Sequence, residues 1–576
     1  MAVLIYTFPM MSSPASAFPF LDQTISNLNS KKSEFAKMSP LLRAQLLEEI
    51  GRRLNRLQYK WVALEASEKG EPGDNSVKGE VHMSGPVPTG RLLRMLSISM
   101  REIATRGLPN ARDRKTSTRS DGRLVVNVMP FDSWDRLVFP GFSADVWMKS
   151  HITKDSLERN QAESYRNPDQ AGKVSLVLGA GNQSSIPITD SLHKLFVDNS
   201  GVLLKMNPVN AYLGPVFAEI LEPLIELGFI DIVYGGAEVG SYLCHHPGIN
   251  DIHITGSAET HDAIVWGQKS DRKKRIEKNE PLVLKPITSE LGNVTPIVVI
   301  PGPWSRSDID FHAENIAAML VNNASFNCVA GKLLVLPRQW KHYEELKNAI
   351  SLAIKRAPLR RAYYPGARDR WTRFVAGNPN AAVFGPITDE KLPWALISDL
   401  DFEREDERFF NTEAFCGVMA EVALAGESAE EFLSNAVRFC NEKVWGTLAI
   451  HLLIHPKTRK NSASEKAFQQ ALDTLRYGTI SINQWAGLGF GLMNTTWGAY
   501  PEHTSANIGS GRGVVHNTFM FDHPEKSVVW GPFRPVTKPV WFHTHRGASK
   551  MGGPLVGFSI RPTWTGLLRV LRHALG

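Results

Sequence analysis

The chain has 576 residues, of which 43% are hydrophobic and 21% charged, and its 65 Lys and Arg against 58 Asp and Glu leave a net charge of +7. That composition excludes a disordered, collagen-like or coiled-coil chain and allows several domains whose cores need no disulfide. The charge is too dilute for the basic face of a nucleic-acid binder, so no nucleic-acid partner is expected.

Four cysteines, Cys244, Cys328, Cys416 and Cys440, form no C-x-x-C pair. No metal site is expected, and a reducing, cytoplasmic location fits so few thiols. The first 21 residues lack Lys and Arg; Ala15-Ser16-Ala17 looks like a cleavage site, but Pro9 interrupts the apolar stretch. A flexible N-terminal arm is expected there instead of a signal peptide. No uninterrupted run of about 18 apolar residues occurs, so no membrane span is expected. The run Arg272-Lys273-Lys274-Arg275 reads as a solvated loop.

In chain order, residues 20–70 are helical: Leu41, Leu42, Leu46, Leu47, Ile50 and Leu54 recur at helical spacing, and Ser39-Pro40 is a start signal. Arg91 to Thr105 predicts a helix, Arg123 to Met129 a strand, and residues 150–172 a polar connector. Strands follow at Lys173–Leu178, Val202–Lys205, Ile230–Tyr234 and Asp251–Thr255. Helices at Ile186–Val197 and Tyr212–Leu227 separate the first three, and a further helix follows Gly256-Ser257. Such alternation requires right-handed crossovers and a parallel sheet, which binds ligands beyond the carboxyl ends of its strands. A second α/β unit spans residues 280–480, with strands at Pro296–Ile300, Leu333–Leu336 and Gly446–His451 and helices at 310–323, 340–355 and 428–440. Beyond about 500 periodicity fades, until Leu567–Leu575 forms a short basic amphipathic helix expected to pack on the body.

Gly179-x-Gly181 follows a strand, but Ser184 stands where a dinucleotide fingerprint needs its third glycine, and Lys205-Met206-Asn207 offers the ribose no acid. Lys205 itself suits an adenosine ribose or a 2′-phosphate. Glu290 lies in Ser289-Glu290-Leu291-Gly292-Asn293 before one apolar strand, and Cys328 lies in Asn327-Cys328-Val329-Ala330-Gly331 before the next. No phosphate-binding loop, G-x-S-x-G elbow or H-E-x-x-H motif is present.

This ordered set resembles the aldehyde dehydrogenase superfamily over about residues 170–485. Glu290 matches the family's general base in E-L-G-G, and Cys328, 38 residues on, its nucleophile. Asn182, 23 residues before Lys205, matches its oxyanion asparagine. Lys205, Gly256 and Ser257 match cofactor-binding positions, and Glu413 and Phe415 match its E-x-F at the nicotinamide-side ribose. The tryptophan before the asparagine is absent, Phe326-Asn327 replaces the family's G-Q, and Pro208 stands where an acid would discriminate for NAD.

The resemblance implies an α/β fold: a parallel-sheet nucleotide-binding domain (1–119 and 171–287), an α/β catalytic domain (288–478) and a small bridging, oligomerisation sheet (120–170 and 479–530). Residues 531–576 form a C-terminal extension with no counterpart in the family. It also implies NAD(P)-dependent oxidation of an aldehyde through a cysteine thioester, in a homodimer or homotetramer, with NADP slightly favoured because of Pro208. Transfer of the acyl group to or from coenzyme A, and a non-catalytic nucleotide-binding scaffold, are the alternatives. The chemistry calls for an accessible, partly ionised thiol and a buried carboxyl of raised pKa.

Overall fold

The computed structural model describes residues 17–574, apart from 72, 168 and 170. The N-terminal arm, including most of the cleavage-like segment, and Leu575 lie outside the described residues. The chain is α/β as expected, built on a six-stranded and an eleven-stranded sheet, with helices packed on both.

The six-stranded sheet runs Gly511–Arg512, Ile287–Glu290, Asp251–Thr255, Val174–Leu178, Gly201–Lys205, Ile230–Val233. All neighbours pair in parallel except the short edge strand 511–512. Val174–Leu178 and Gly201–Lys205 are buried on both faces, which is why they read as unbroken apolar runs. The chain leaves Val174–Leu178 for two strands on one side, then returns to place Asp251–Thr255 on the other. This reversal opens a crevice beyond Leu178 and Thr255, the switch point at which open α/β sheets take ligands.

The second sheet is larger than expected. Seven parallel strands run Pro524–Trp530, Thr479–Ile482, Ala449–Leu453, Thr295–Val299, Gly331–Pro337, Val418–Leu424, Trp394–Leu400, with Ala381–Phe384 antiparallel at one edge. At the other edge Ser143–Met148, Leu124–Met129 and Thr116–Thr118 continue it antiparallel. Val418–Leu424 hides behind Glu421, a buried carboxylate that accepts from the Asp399 N–H at 2.9 Å and the Tyr343 hydroxyl at 3.0 Å. Pro524–Trp530 hides behind Lys526, likewise buried, whose Nζ donates to the carbonyls of Leu472 and Leu475. Paired polar groups can sit in a core, so polarity alone does not exclude a central strand.

N-terminal helices Pro19–Lys37, Pro40–Glu68, Asn75–Ser84 and Pro86–Arg106 pack around the six-stranded sheet, with Ser39 Oγ capping the second at the Leu42 N–H. The basic run 272–275 lies on an exposed helix, Lys269–Lys278, and not in a loop. The C-terminal extension forms a helical hairpin, Ala548–Ile560 and Trp564–Ala574, whose first helix lies across the N-terminal helices. No helix among the described residues is long and apolar enough to cross a membrane.

Gly511 seats Glu290. The two pair directly across the antiparallel edge, Gly511 has φ +115°, and a Cβ there would lie 2.1 Å from the Ser289 carbonyl oxygen. Gly511→Ala is therefore expected to destabilise the protein by about 1–3 kcal/mol through forbidden backbone geometry. Thermal unfolding would check it, and an unchanged midpoint would show that the edge strand yields freely.

Candidate functional site

The switch-point crevice is a cavity of about 880 Å³. Its walls include Asn182, Lys205, Gly256, Ser257, Glu290, Cys328, Glu413 and Phe415, which lie far apart in the sequence. Pro208 is not among the lining residues. It is the first residue of the 3₁₀ turn Pro208–Leu213, and Asn207, whose Oδ1 caps that turn at the Val209 N–H, forms the wall instead.

One end of the cavity suits a dinucleotide. Lys205 ends its strand with an ammonium that makes no hydrogen bond or ion pair among the described residues, and burial lowers its pKa. Ser257 caps helix Ala258–Trp266, its Oγ accepting from the Thr260 N–H at 3.1 Å. A Cβ on Gly256 would meet nothing closer than 3.8 Å, so the absent side chain leaves open space at a helix N-terminus, the place a phosphate would occupy. No carboxylate lines the Lys205 end; the two in the wall, Glu290 and Glu413, lie towards Cys328. Glu413 Oε1 is buried without a partner among the described residues, a vacancy that a ribose hydroxyl could fill.

At the other end the Cys328 thiol donates to Glu290 Oε1 at 3.2 Å. Burial, reinforced by the nearby charge of Asp190, pushes the Glu290 carboxyl up to about 7, against small opposing contributions from the Trp497 indole and the thiol. Burial and the Glu290 charge push the thiol well above its ordinary range. The thiol is thus half-buried and held neutral on a carboxylate, not ionised in advance as the sequence reading required. Asn182 donates one amide N–H to the Phe326 carbonyl at 3.0 Å, and its second N–H engages none of the described residues.

The loop that delivers Cys328 is strained. Asn323, Ala324 and Ser325 have φ of +52°, +52° and +72°, three consecutive non-glycine residues in left-handed conformation. A buried polar network holds them. Asn323 Nδ2 donates to the carbonyls of Asn182 and Phe326, both at 3.0 Å, while its Oδ1 accepts from Lys69 Nζ at 2.7 Å and the Tyr363 hydroxyl at 3.0 Å. Lys332 Nζ holds the Ser325 carbonyl and hydroxyl, and Asn327 Nδ2 reaches back to Asn322. The sequence contains this network as Asn322-Asn323, and polar pairs of that kind read as an ordinary turn.

Cys328 also lines a second, smaller cavity of about 160 Å³ on its other side. Val87, Val138, Phe139, Trp485, Leu488 and Phe490 line it from the body, and Val540, Trp541, Leu555 and Phe558 close it from the C-terminal extension. Its charged members are already paired: Arg91 with Asp135 at 2.7 Å, Arg94 with Asp132, and Glu80 with Arg360 at 3.2 Å. The sequence reading missed this cavity, and it also missed Asp190. That residue is fully buried in helix Ser185–Phe196, accepts from Thr255 Oγ1 at 2.8 Å and lies 3.3 Å from His253 Nε2.

A model of the aldehyde dehydrogenase family matches residues 184–364. The geranial dehydrogenase of Castellaniella defragrans is 23% identical over 383 residues, covering 61% of this chain and 75% of that protein. Other curated relatives align over only 18–36% of their own length. An NAD-dependent aldehyde dehydrogenase from Sinorhizobium meliloti superposes with a TM-score of 0.59 at 14% identity, covering 91% of this chain and 89% of that one. Aldehyde dehydrogenase C of Pseudomonas syringae, in a structure with NAD+ and octanal, does so with a TM-score of 0.57 at 14% identity, covering 90% and 89%. At these identities the structural likenesses establish the fold.

Asn323→Ala would remove four hydrogen bonds and leave a β-carbon without local bonding in a left-handed position. The expected cost is on the order of 3 kcal/mol. A denaturant midpoint equal to that of the wild type would show that the loop keeps its shape without the network.

Proposed function

We propose that the chain is a member of the aldehyde dehydrogenase superfamily that oxidises aldehydes, with Cys328 as its nucleophile and NAD or NADP as the redox partner. The observation that carries this reading is the placement of Cys328: in contact with a buried carboxyl, and shared by a large cavity sized for a dinucleotide and a smaller, more apolar cavity that a small substrate could enter.

The chemistry follows from desolvation. Glu290, titrating near neutrality, accepts the thiol proton across the 3.2 Å contact. The thiolate adds to the carbonyl carbon, giving a thiohemiacetal whose oxyanion the free N–H of Asn182 stabilises. A nicotinamide dinucleotide held at Lys205, Gly256, Ser257 and Glu413 would supply the hydride acceptor, so that loss of hydride from the adduct carbon leaves a thioester on Cys328. Glu290, having passed the thiol's proton to solvent, then takes a proton from water; the resulting hydroxide adds to the thioester carbon, the C–S bond breaks to release the acid, and Glu290 returns its proton to the departing thiolate. The apolar indoles of Trp485 and Trp497 limit bulk water around the thioester. A buried base beside the thiol supports hydrolysis over transfer to coenzyme A.

The smaller cavity supports an apolar aldehyde, since every charge in its wall is already neutralised. The names of two similar proteins point the same way, one a dehydrogenase of geranial and the other holding octanal. Lys205, facing a cavity end without a carboxylate, supports acceptance of NADP at least as well as NAD: an ammonium favours a 2′-phosphate, and nothing there repels it. The exposed edge strand Thr116–Thr118 supports pairing of chains in a homo-oligomer.

Cys328→Ala should abolish aldehyde oxidation and leave cofactor binding intact. Glu290→Gln should slow the burst of reduced cofactor at neutral pH and lower steady-state turnover by about 10²–10⁴-fold, and at alkaline pH only the burst should recover, as the thiol ionises unaided. In the wild type the carboxylate is the active form, so turnover should fall as pH drops below about 7. Burst and steady state falling together at every pH would remove Glu290 from hydrolysis.

For the cofactor, Lys205→Gln should weaken NADP+ binding by at least roughly tenfold more than NAD+ binding, because only NADP+ carries a 2′-phosphate whose contact with the ammonium is lost. Fluorescence quenching with both dinucleotides measures this. Wild type binding NAD+ more than about tenfold tighter than NADP+ would overturn the assignment.

A further inference from the structure

Residues 531–576 contain Arg534, Lys538, Arg546, Lys550, Arg561, Arg569 and Arg572 and no Asp or Glu, so this segment carries the whole net charge of +7 and the rest of the chain balances to zero. Lys538 and Arg534 are paired with Glu314 and Asp308 on the body. The other five are exposed and make no ion pair among the described residues.

The final helix, Trp564–Ala574, has three distinct faces. Leu567 and Val570 are buried against Met551, Leu555 and Phe558 of the preceding helix. Trp564, Leu568 and Leu571, spaced i, i+4, i+7, form a separate stripe that is 67%, 66% and 42% exposed. Arg569 and Arg572 border that stripe on its far side. Trp564 stacks edge-on against Trp134 at 4.9 Å, which fixes the aromatic at the margin of the stripe. An apolar stripe with an indole at one end and unpaired cations along its side has the composition of a helix that lies in a lipid–water interface. The excess charge selects the lipid, because only an anionic surface is attracted to five unpaired cations with no acid among them. The same hairpin closes the apolar cavity at Cys328 through Leu555 and Phe558, so an apolar substrate dissolved in a bilayer would meet the cavity from this side.

We propose that the C-terminal hairpin docks the protein on an anionic lipid surface, with Trp564, Leu568 and Leu571 inserted at headgroup depth, Arg569 and Arg572 paired with lipid phosphates beside them, and the other three free cations adding to the attraction. Docking is peripheral and requires no spanning segment. It is independent of the catalytic reading, since none of the three apolar residues lines either cavity.

The full chain would be co-sedimented with vesicles of phosphatidylcholine alone and of phosphatidylcholine mixed with phosphatidylglycerol. Wild type is expected to bind the anionic vesicles, to bind neutral ones at least roughly tenfold more weakly, and to be released by about 0.5 M NaCl. The double substitutions Leu568→Glu with Leu571→Glu, and Arg569→Glu with Arg572→Glu, should each reduce binding by at least roughly tenfold. Their helical circular dichroism and their activity on a water-soluble aldehyde without vesicles should stay at wild-type levels. Failure of the wild type to bind anionic vesicles, or undiminished binding by both variants, overturns the proposal. So does an oligomer, seen by light scattering, that Leu568→Glu with Leu571→Glu dissociates while no lipid is bound, because the stripe would then be covered by a second copy of the chain. If no aldehyde is oxidised by any form, the catalytic reading fails and the vesicle result still decides docking.

Discussion

A buried contact between a thiol and a carboxyl joins the two halves of this molecule. Glu290 ends a strand of the six-stranded sheet, and Cys328 lies on the loop that enters a strand of the eleven-stranded sheet. Neither sheet alone could bury the pair. Their apposition removes water from the carboxyl, and that removal, more than any neighbouring charge, raises its pKa into the range where a base can both take and return a proton. The same desolvation holds the thiol neutral, and the group placed to take its proton is the Glu290 carboxyl and not an electropositive surrounding.

This arrangement demands that Cys328 be held against Glu290 within hydrogen-bonding distance, and the strained loop provides the hold. Three left-handed residues cost free energy that polypeptides avoid unless neighbouring bonds over-determine the shape. Here those bonds come from the N-terminal helices as well as the eleven-stranded sheet: Lys69, from just beyond helix Pro40–Glu68, reaches Asn323 across 254 residues of sequence. The N-terminal helices therefore help to hold the loop that carries Cys328 in addition to covering the sheet. Lys69 is itself buried and paired with Glu65 at 2.6 Å, so its charge is compensated where it acts.

The two cavities that meet at Cys328 divide the chemistry by polarity. The larger has an unpaired ammonium, a helix N-terminus and an orphaned carboxyl oxygen; the smaller has aromatic and aliphatic walls in which each charge already has its counter-charge. The C-terminal extension belongs to the second. It closes the apolar cavity with one helix and turns an apolar, cation-flanked stripe outwards with the next, so that segment is an element of the site's architecture and not an appendage.

The sequence by itself determined the parallel alternation of 173–266 and the ordered set of polar residues that the fold gathers in one cleft, because buried parallel strands are unbroken apolar runs and strand ends face the ligand. It also marked the basic amphipathic C-terminal helix. It did not reveal the strands at 418–424 and 524–530, since Glu421 and Lys526 read as surface residues until their long-range partners are known. Pro208 fell beside the cleft because its ring starts a 3₁₀ turn and leaves Asn207 to form the wall. Tertiary structure alone decided the neutral state of Cys328, the raised pKa of Glu290, the role of Asp190 in that shift and the contribution of the extension to the second cavity. Each of these depends on which groups are removed from water together, and burial is a property of the packed chain that no local pattern records.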